Sequence, residues 1–581
     1  MRHTKDHKTG YLFDPWGHLG PKRRQLLEQS WAGIFREYLL NELPVEKIAR
    51  YFHPSMGRPS KELYTVLGTL VLQQLHDLSD GEVVCTLAFD TRWHYALDIT
   101  GATDEQTTIA ERTLREYRRM VTEEKLDGYL FETLTDKLIQ AFDVDTRKQR
   151  LDSSHIRSNM RHLSRTGLFA ATIRKFLLNL KRRHRGLFDA HIPPELAARY
   201  LNKGASCFSQ VKPSEARKTL RMVGDDLFFL MEKFRAHQKV CRLNSFHLLK
   251  RLLHEQCTVS GGSDNDNKVK VKPSKQVASD SLQSPSDPDA TYDAHKGKGY
   301  QVQVMETFVA DGQRDRTKPN LITHVQIQPA HRSDNEALIP AIDKTQKRGC
   351  AAQELEADAS YGGDENVQAA AQRGVEVLSP LIGKKTGELG WERFRFHNRK
   401  GTVTACPGGH RPQQSHRTKK GRFVARFFLE HCQTCPLKNQ CPVQVGQGGA
   451  YLRYTAKQVR VANRRAYEKT KLFRDRYRWR AGVEATNSHL KSDTGAGRLR
   501  VRGLPAVRYC VTLKALGLNI LRATSARIAR IRVSHALSNG ILAKIFALFR
   551  PRGCFRAPSP PSIKPFTQFN LSKSIYLRLA T

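Results

Sequence analysis

Hydrophobic positions in the first quarter of the chain recur at helical spacing. Leu63, Val66, Leu67, Leu70, Val71, Leu75 and Leu78 lie three or four residues apart, which places them on one face of a helix. Ser60 precedes the run as an N-cap, and "SDGE" at 79–82 has the capping-box pattern that starts a further helix. "TTIAERTLREYRRMVTEEKLDGYLFETLTDKLIQAF" is amphipathic over most of its length. Residues 22–142 therefore read as a helical N-terminal domain. Packing of helices accounts for the pattern, and DNA recognition is compatible with it.

The pattern then changes. "TRKQRLDSSH", within 146–155, reads as a first strand ending in polar residues, and helical spacing returns through Leu168, Phe169, Ile173, Phe176, Leu177 and Leu180 into a helical insert over 156–259. Residues 260–299 turn to Ser, Asp, Asn, Pro, Lys and Gly, the composition of a flexible linker. Over 300–383 short strands alternate with helices. "GYQVQVMETFVA", "LITHVQIQPA", "ELEADASYGG" and "VEVLSPL" are the strands, and "SDNEALIPAIDKTQKRG" and "DENVQAAAQRG" the helices. This is an α/β core whose first strand is separated from the rest by the insert and the linker. Residues 384–470 leave that pattern for basic, aromatic-rich strands, among them "RFRFHNRKGTVTAC", "GRFVARFFLEHC" and "GGAYLRYTA". Helices return at 471–525, and 526–581 form a basic, Pro-rich tail in which 551–565 hold five prolines and show little periodicity.

Charge narrows the partners. The 581 residues carry 97 Lys+Arg against 56 Asp+Glu, a formal net charge of +41 with a pI near 10.0. Such a chain is expected to bind a polyanion, nucleic acid first. No run of consecutive apolar residues approaches the ~18 needed to span a bilayer, and "MRHTKDHKTGYLF" lacks the apolar stretch of a signal peptide. The expectation is a cytoplasmic, nucleoid-associated protein without membrane contact. Eleven cysteines, an odd number, argue against a disulfide framework. Four of them, Cys406, Cys432, Cys435 and Cys441, fall within 36 residues, with the last three in "CQTCPLKNQC". That spacing suits a structural Zn²⁺, with His410 and His431 as substitute ligands.

An α/β sheet presents functional side chains at strand ends, which singles out Asp152 in "LDSS" and Asp358 in "ADASYGG". Asp143 and Asp145 lie near the first strand and are not excluded by spacing. Two such carboxylates and a helical glutamate would form an oxygen-rich site for two Mg²⁺ or Mn²⁺ ions acting on a phosphodiester. The glutamate is in "YRWRAGVEATNSHLK", where Tyr477, Arg480, Glu484 and Lys491 share one stripe of a helix. Trp479, Val483, Thr486 and Leu490 share the opposite, mostly apolar stripe.

With Y-x2-R-x3-E-x6-K present in full, the sequence resembles the DDE transposases of bacterial insertion sequences that carry this YREK signature. The blocks "GRPSKELYTVLGTLVLQQLHDLSDGEVVCTLAFDTRWHYAL", "DSSHIRSNM", "SDPDATYDAHKGKGYQVQVMET" and "HRSDNEALIP" extend the resemblance over about residues 59–521. It implies an RNase H-like catalytic domain split by insertions, with Asp152, Asp358 and Glu484 as the metal triad and Tyr477, Arg480 and Lys491 at DNA phosphates. It also implies binding to terminal inverted repeats and target DNA, cleavage and strand transfer, and a homodimer on paired ends. Alternatives are a metal-dependent nuclease or resolvase without strand transfer, and a zinc-dependent DNA-binding protein that has lost catalysis.

Overall fold

The structure, a computed structural model, describes residues 1–101, 103–202, 212–260, 268–310, 315–383, 389–397 and 399–548. The chain divides into two compact units, Met1–Ala529 and Arg530–Thr581. The first holds every site discussed below.

Its N-terminal part is helical. Helix Leu63–Leu75 buries Leu63, Val66, Leu67, Leu70 and Val71 completely. Its cap differs from expectation, because the Glu62 carboxylate, rather than Ser60, accepts from the backbone N–H groups of Tyr64 and Thr65. A carboxylate satisfies two of the orphan donors and complements the helix dipole. The capping box at Ser79 and Glu82 is complete and opens helix Asp80–Phe89.

A six-stranded sheet follows. Its principal strands are β1 (Lys148–Ile156), β2 (Gly297–Thr307), β3 (Ile322–Pro329), β4 (Glu354–Ala357) and β5 (Glu376–Leu378), in spatial order β3–β2–β1–β4–β5. The short strand Thr291–Asp293 also pairs with β2. β2 runs antiparallel to β1 and β3, whereas β1, β4 and β5 are parallel. Parallel neighbours need crossover helices. Helix α1 (Leu338–Lys347) precedes β4 and α2 (Asp364–Gln372) joins β4 to β5. Leu151, Met305, Leu338, Ala341, Leu355 and Ala370 form the core on that face. The other face buries Tyr300, Val302 and Val304 against helix Leu126–Phe142 and the long helix Leu504–Leu548.

Residues 156–259 fold as a separate helical cluster whose core includes Phe169, Phe176, Leu227, Phe234 and Leu249. In place of a flexible linker, the described residues of 260–299 are ordered against the protein. Strand Lys268–Val271 pairs with Cys257–Ser260, and Ser281, Leu282, Ser284, Asp287 and Ala290 are buried. The reason is a polar anchor that composition does not reveal. Fully buried Asp287 accepts from the Ser158 hydroxyl, the Tyr300 hydroxyl and the Gly503 N–H.

The insert contains a four-stranded antiparallel sheet of Gln414–Arg417, Phe423–Phe427, Gly449–Tyr454 and Gln444–Gly446, and a two-stranded ladder of Arg395–Phe396 with Val403–Ala405. Phe423, Phe427, Leu452 and Tyr454 form its core. By length and composition alone, Leu504–Ala536 of helix Leu504–Leu548 is apolar enough to cross a membrane. Most of this apolar stretch is nevertheless buried, as in a core helix. It also carries helix into the residues read as the start of the basic, Pro-rich tail. The Pro-rich stretch 551–565 lies outside the described residues.

Candidate active site

The site begins with strand register. Leu151 and Ala357 are the last parallel pair between β1 and β4, so Asp152 and Asp358 each stand one residue past it on neighbouring strands. Asp152 is not at a strand end as expected, since β1 continues to Ile156 on the β2 side and pairs Asp152 with Val304. It lies instead where parallel pairing ends and the two strands separate. Beyond β4 the chain turns sharply. The Asp358 carboxylate accepts from the Ser360 N–H at 2.9 Å and its carbonyl accepts from the Ser379 hydroxyl at 2.6 Å. A side chain at Gly362 would meet Ser379 Oγ at 2.4 Å, so glycine is needed for the turn.

Segment 477–491 is not one α-helix. Tyr477 ends helix Lys471–Tyr477, Arg478–Ala481 form a 3-10 turn, and α3 (Gly482–Ser492) carries Glu484 and Lys491. The tightened turn has a cause. Arg150, two residues before Asp152, donates from Nη1 to the Trp479 carbonyl at 2.6 Å. A Cβ on Gly482 would come within 2.1 Å of the same guanidinium nitrogen. Glycine thus lets the turn close over Arg150. Val483, Thr486 and Leu490 bury the inner face of α3, as the apolar stripe requires.

Glu306 on β2, fully buried, holds these pieces together. It receives Arg150 at 2.6 Å, Arg522 at 2.7 Å and the Thr486 hydroxyl at 2.6 Å. Burial opposes its charge, but Arg522 and Arg150 outweigh that and keep it below the ordinary glutamate value.

On this frame Arg480 bridges two acidic residues. Its Nη2 donates to Asp152 Oδ1 at 3.0 Å and its Nη1 to Glu484 Oε1 at 3.3 Å. Asn487, one turn after Glu484, donates to Asp152 Oδ2 at 3.1 Å. Burial raises the Asp152 carboxyl, and the nearby Asp358 charge adds to this against Arg480. The Tyr477 phenol is pushed up to about 12 by burial and stacks on Phe473. Lys491 is half-buried and held below the ordinary lysine value by burial, with Lys296 and Arg157 as cationic neighbours and Asp152 opposing. Asp143 and Asp145 lie elsewhere: Asp143 pairs with Lys318 and Asp145 with Arg147.

The structure thus bonds Arg480 and Asn487 to Asp152 and sets Asp358, Tyr477 and Lys491 within electrostatic reach of it, while Glu484, 66% exposed at its side chain, joins through Arg480. Among the described residues no three His, Cys, Asp or Glu side chains stand in metal-ligating geometry. The donor set is nevertheless oxygen-rich and suits a hard divalent cation. Sequence reasoning missed Arg150, Glu306, Asn487, Ser153 and Lys296. Only Asn487 carried a signal, its position three residues after Glu484 on the same helix. Ser153 links the site to a further acid, since it donates to Asp334 at 3.0 Å and accepts from Lys296 at 2.9 Å.

Comparison with family models gives two matches. Residues 405–524, which include α3, match the model described as "Transposase DDE domain". Residues 33–119, within the N-terminal helices, match a transposase domain, DUF772. The two matches support a DDE-family transposase. No curated protein matches the chain. The two transposase matches flank β1 and β4, so Asp152 on β1 and Asp358 just past β4 lie between the matched segments.

Proposed function

We propose that this transposase binds the terminal inverted repeats of its own element, hydrolyses a phosphodiester at each end, and uses the freed 3′-OH to attack target DNA. The observation that supports the reading is the β1–β4 register, in which Asp152 and Asp358 each follow the Leu151–Ala357 pair, together with the bonds of Arg480 and Asn487 to Asp152. The strand order β3–β2–β1–β4–β5, with only β2 reversed against β1, supports an RNase H-like catalytic domain. Asp152, Asp358 and Glu484 would hold two Mg²⁺ or Mn²⁺ ions, which when bound activate the attacking oxygen and stabilise the leaving one. Arg480 must then release Asp152 or Glu484, and its guanidinium is free to meet a DNA phosphate. Lys491 contributes a second cation toward the same phosphate. Asn487 fixes the orientation of Asp152, and Arg150 with Glu306 fixes α3 against β1. Tyr477 contacts the backbone from the turn before Arg480. The basic strands of the insert supply phosphate contacts away from the chemistry. Cleavage of two paired ends calls for a homodimer.

The test is Mg²⁺-dependent cleavage and joining of DNA carrying the element's ends. Asp152→Asn, Asp358→Asn and Glu484→Gln should each abolish cleavage and keep DNA binding. Retained cleavage in any of the three removes that residue from the triad. A protein that cuts but does not join pre-cut ends is a nuclease or resolvase, and one that binds DNA without cutting under Mg²⁺ or Mn²⁺ has lost catalysis.

A further inference from the structure

The segment from Leu429 to Cys441 in the insert poses a problem of support. Its helix Leu429–Gln433 has five residues and its 3-10 turn Lys438–Gln440 three, and neither has a buried residue. Helices this short do not hold themselves in water. Leu437, Cys432, Cys441 and Val443 lie only partly buried against the sheet. The segment is nevertheless folded back on itself. The Lys438 N–H donates to the Cys435 carbonyl and the Leu389 N–H to the Gln440 carbonyl, at 3.0 and 3.1 Å.

What the segment covers is a cavity of about 30 Å³ lined by Cys406, Cys432, Cys435 and Cys441, with His410 and His431 on its wall. The volume exceeds what a single small guest needs. Cys406 reaches it from a tight turn of its own. Its N–H donates to the His410 carbonyl and its carbonyl accepts from Gly409, at 2.9 Å each, with Gly409 at φ +84°. The two imidazole rings stack with centroids 4.2 Å apart. All four thiols are free and half-buried.

We propose that Cys406, Cys432, Cys435 and Cys441 bind one structural Zn²⁺ that fastens 429–441 to the insert sheet. A four-thiolate site is closed and tetrahedral with Zn–S near 2.3 Å, and its binding free energy becomes folding free energy for the segment that supplies the ligands. Among the described residues no three of these side chains stand in ligating geometry, so the proposal requires the thiols to turn toward a shared centre. Thiolates select Zn²⁺ over the hard cations suited to Asp152 and Asp358. The two sites are thus chemically separate, and this proposal stands independently of the catalytic reading.

The test uses the full chain purified without chelator. Elemental analysis should give one equivalent of zinc. Alkylation followed by peptide mapping should show these four cysteines protected until a chelator is added, while exposed Cys85 reacts throughout. Co²⁺ substitution should give the visible bands of a tetrahedral thiolate site. Cys441→Ser should lose the metal and Cys441→His should retain it, which separates ligation from simple packing. Less than about a tenth of an equivalent of zinc after zinc addition, with the four thiols reacting as fast as Cys85, overturns the proposal. So does full zinc occupancy in Cys441→Ser, or iron in place of zinc.

Discussion

Arg480 donates to Asp152 at 3.0 Å, across 328 residues of sequence. With Glu484 on its other side, the guanidinium lies between two carboxylates proposed to bind metal. Arg480→Ala should therefore bind Mn²⁺ several-fold more tightly while cleaving at least about 100-fold more slowly, since it removes both a competing cation and a phosphate contact. Manganese titration monitored by electron paramagnetic resonance, alongside single-turnover cleavage, tests the two effects separately. Unchanged Mn²⁺ affinity would show that Arg480 does not compete for the site.

Lys491 has a narrower role. Non-specific DNA binding should weaken with salt at a log–log slope near 0.9 per phosphate contact. Lys491→Ala should leave that slope almost unchanged and slow cleavage about 100-fold. Equal losses in binding and turnover would make Lys491 an ordinary backbone contact.

The same substitution at two glycines should have opposite effects. Gly482→Ala drives a methyl into Arg150 and should destabilise the protein by about 1–3 kcal/mol, with loss of cleavage. Gly128→Ala, in helix Leu126–Phe142, has no atom within 4 Å of its added carbon. It should stabilise by about 0.5 kcal/mol. Urea midpoints of both variants against the parent decide the signs.

Glu306 is surrounded by groups that need its charge. Glu306→Gln leaves Arg150 and Arg522, exposed by only 10% and 20%, without a buried counter-ion. Breaking a pair of this kind costs about 3–5 kcal/mol. Cleavage should fall with stability, because Arg150 and Thr486 position α3. Arg522→Met should be milder, since Arg150 remains to neutralise Glu306.

The pH dependence of stability should trace to a cluster far from the site. Asp98 receives the Tyr11 hydroxyl at 2.6 Å, His7 at 3.0 Å and Arg36 at 2.7 Å. Burial alone would raise its carboxyl, but these partners hold it far below the usual range. Burial likewise disfavours charged His7, yet Asp98 and Glu62 raise it above 6.5. The Asp98 contribution is present above its unfolded value of 3.8 and is lost as pH falls below it. The His7 contribution is full below 6.5 and is lost as pH rises through the raised folded value. Asp98→Asn should flatten both limbs of a stability profile measured from pH 3 to 9. Asparagine suits the comparison because Asp98 sits at φ +54°, which it tolerates. An unchanged profile would place the pH dependence elsewhere.

Local order was legible where it depends on neighbours in sequence. The spacing from Leu63 to Leu75, the capping box at Ser79 and the strand patterns around Asp152, Val302 and Leu355 are decided by residues a few positions apart. So is the offset of Tyr477, Arg480, Glu484 and Lys491, which singled out the segment before any contact was known. Tertiary structure decided what depends on partners hundreds of residues away. Register between β1 and β4 brought Asp152 beside Asp358, a relation that neither strand encodes alone. Arg150 and the glycine at 482 tightened a helix that its own sequence would have continued. Asp287 ordered a stretch whose composition reads as disordered, because three donors from distant segments met one buried carboxylate. A polar residue is read as exposed by default, since burying it unpaired is costly. Only the fold supplies the partners that reverse that cost.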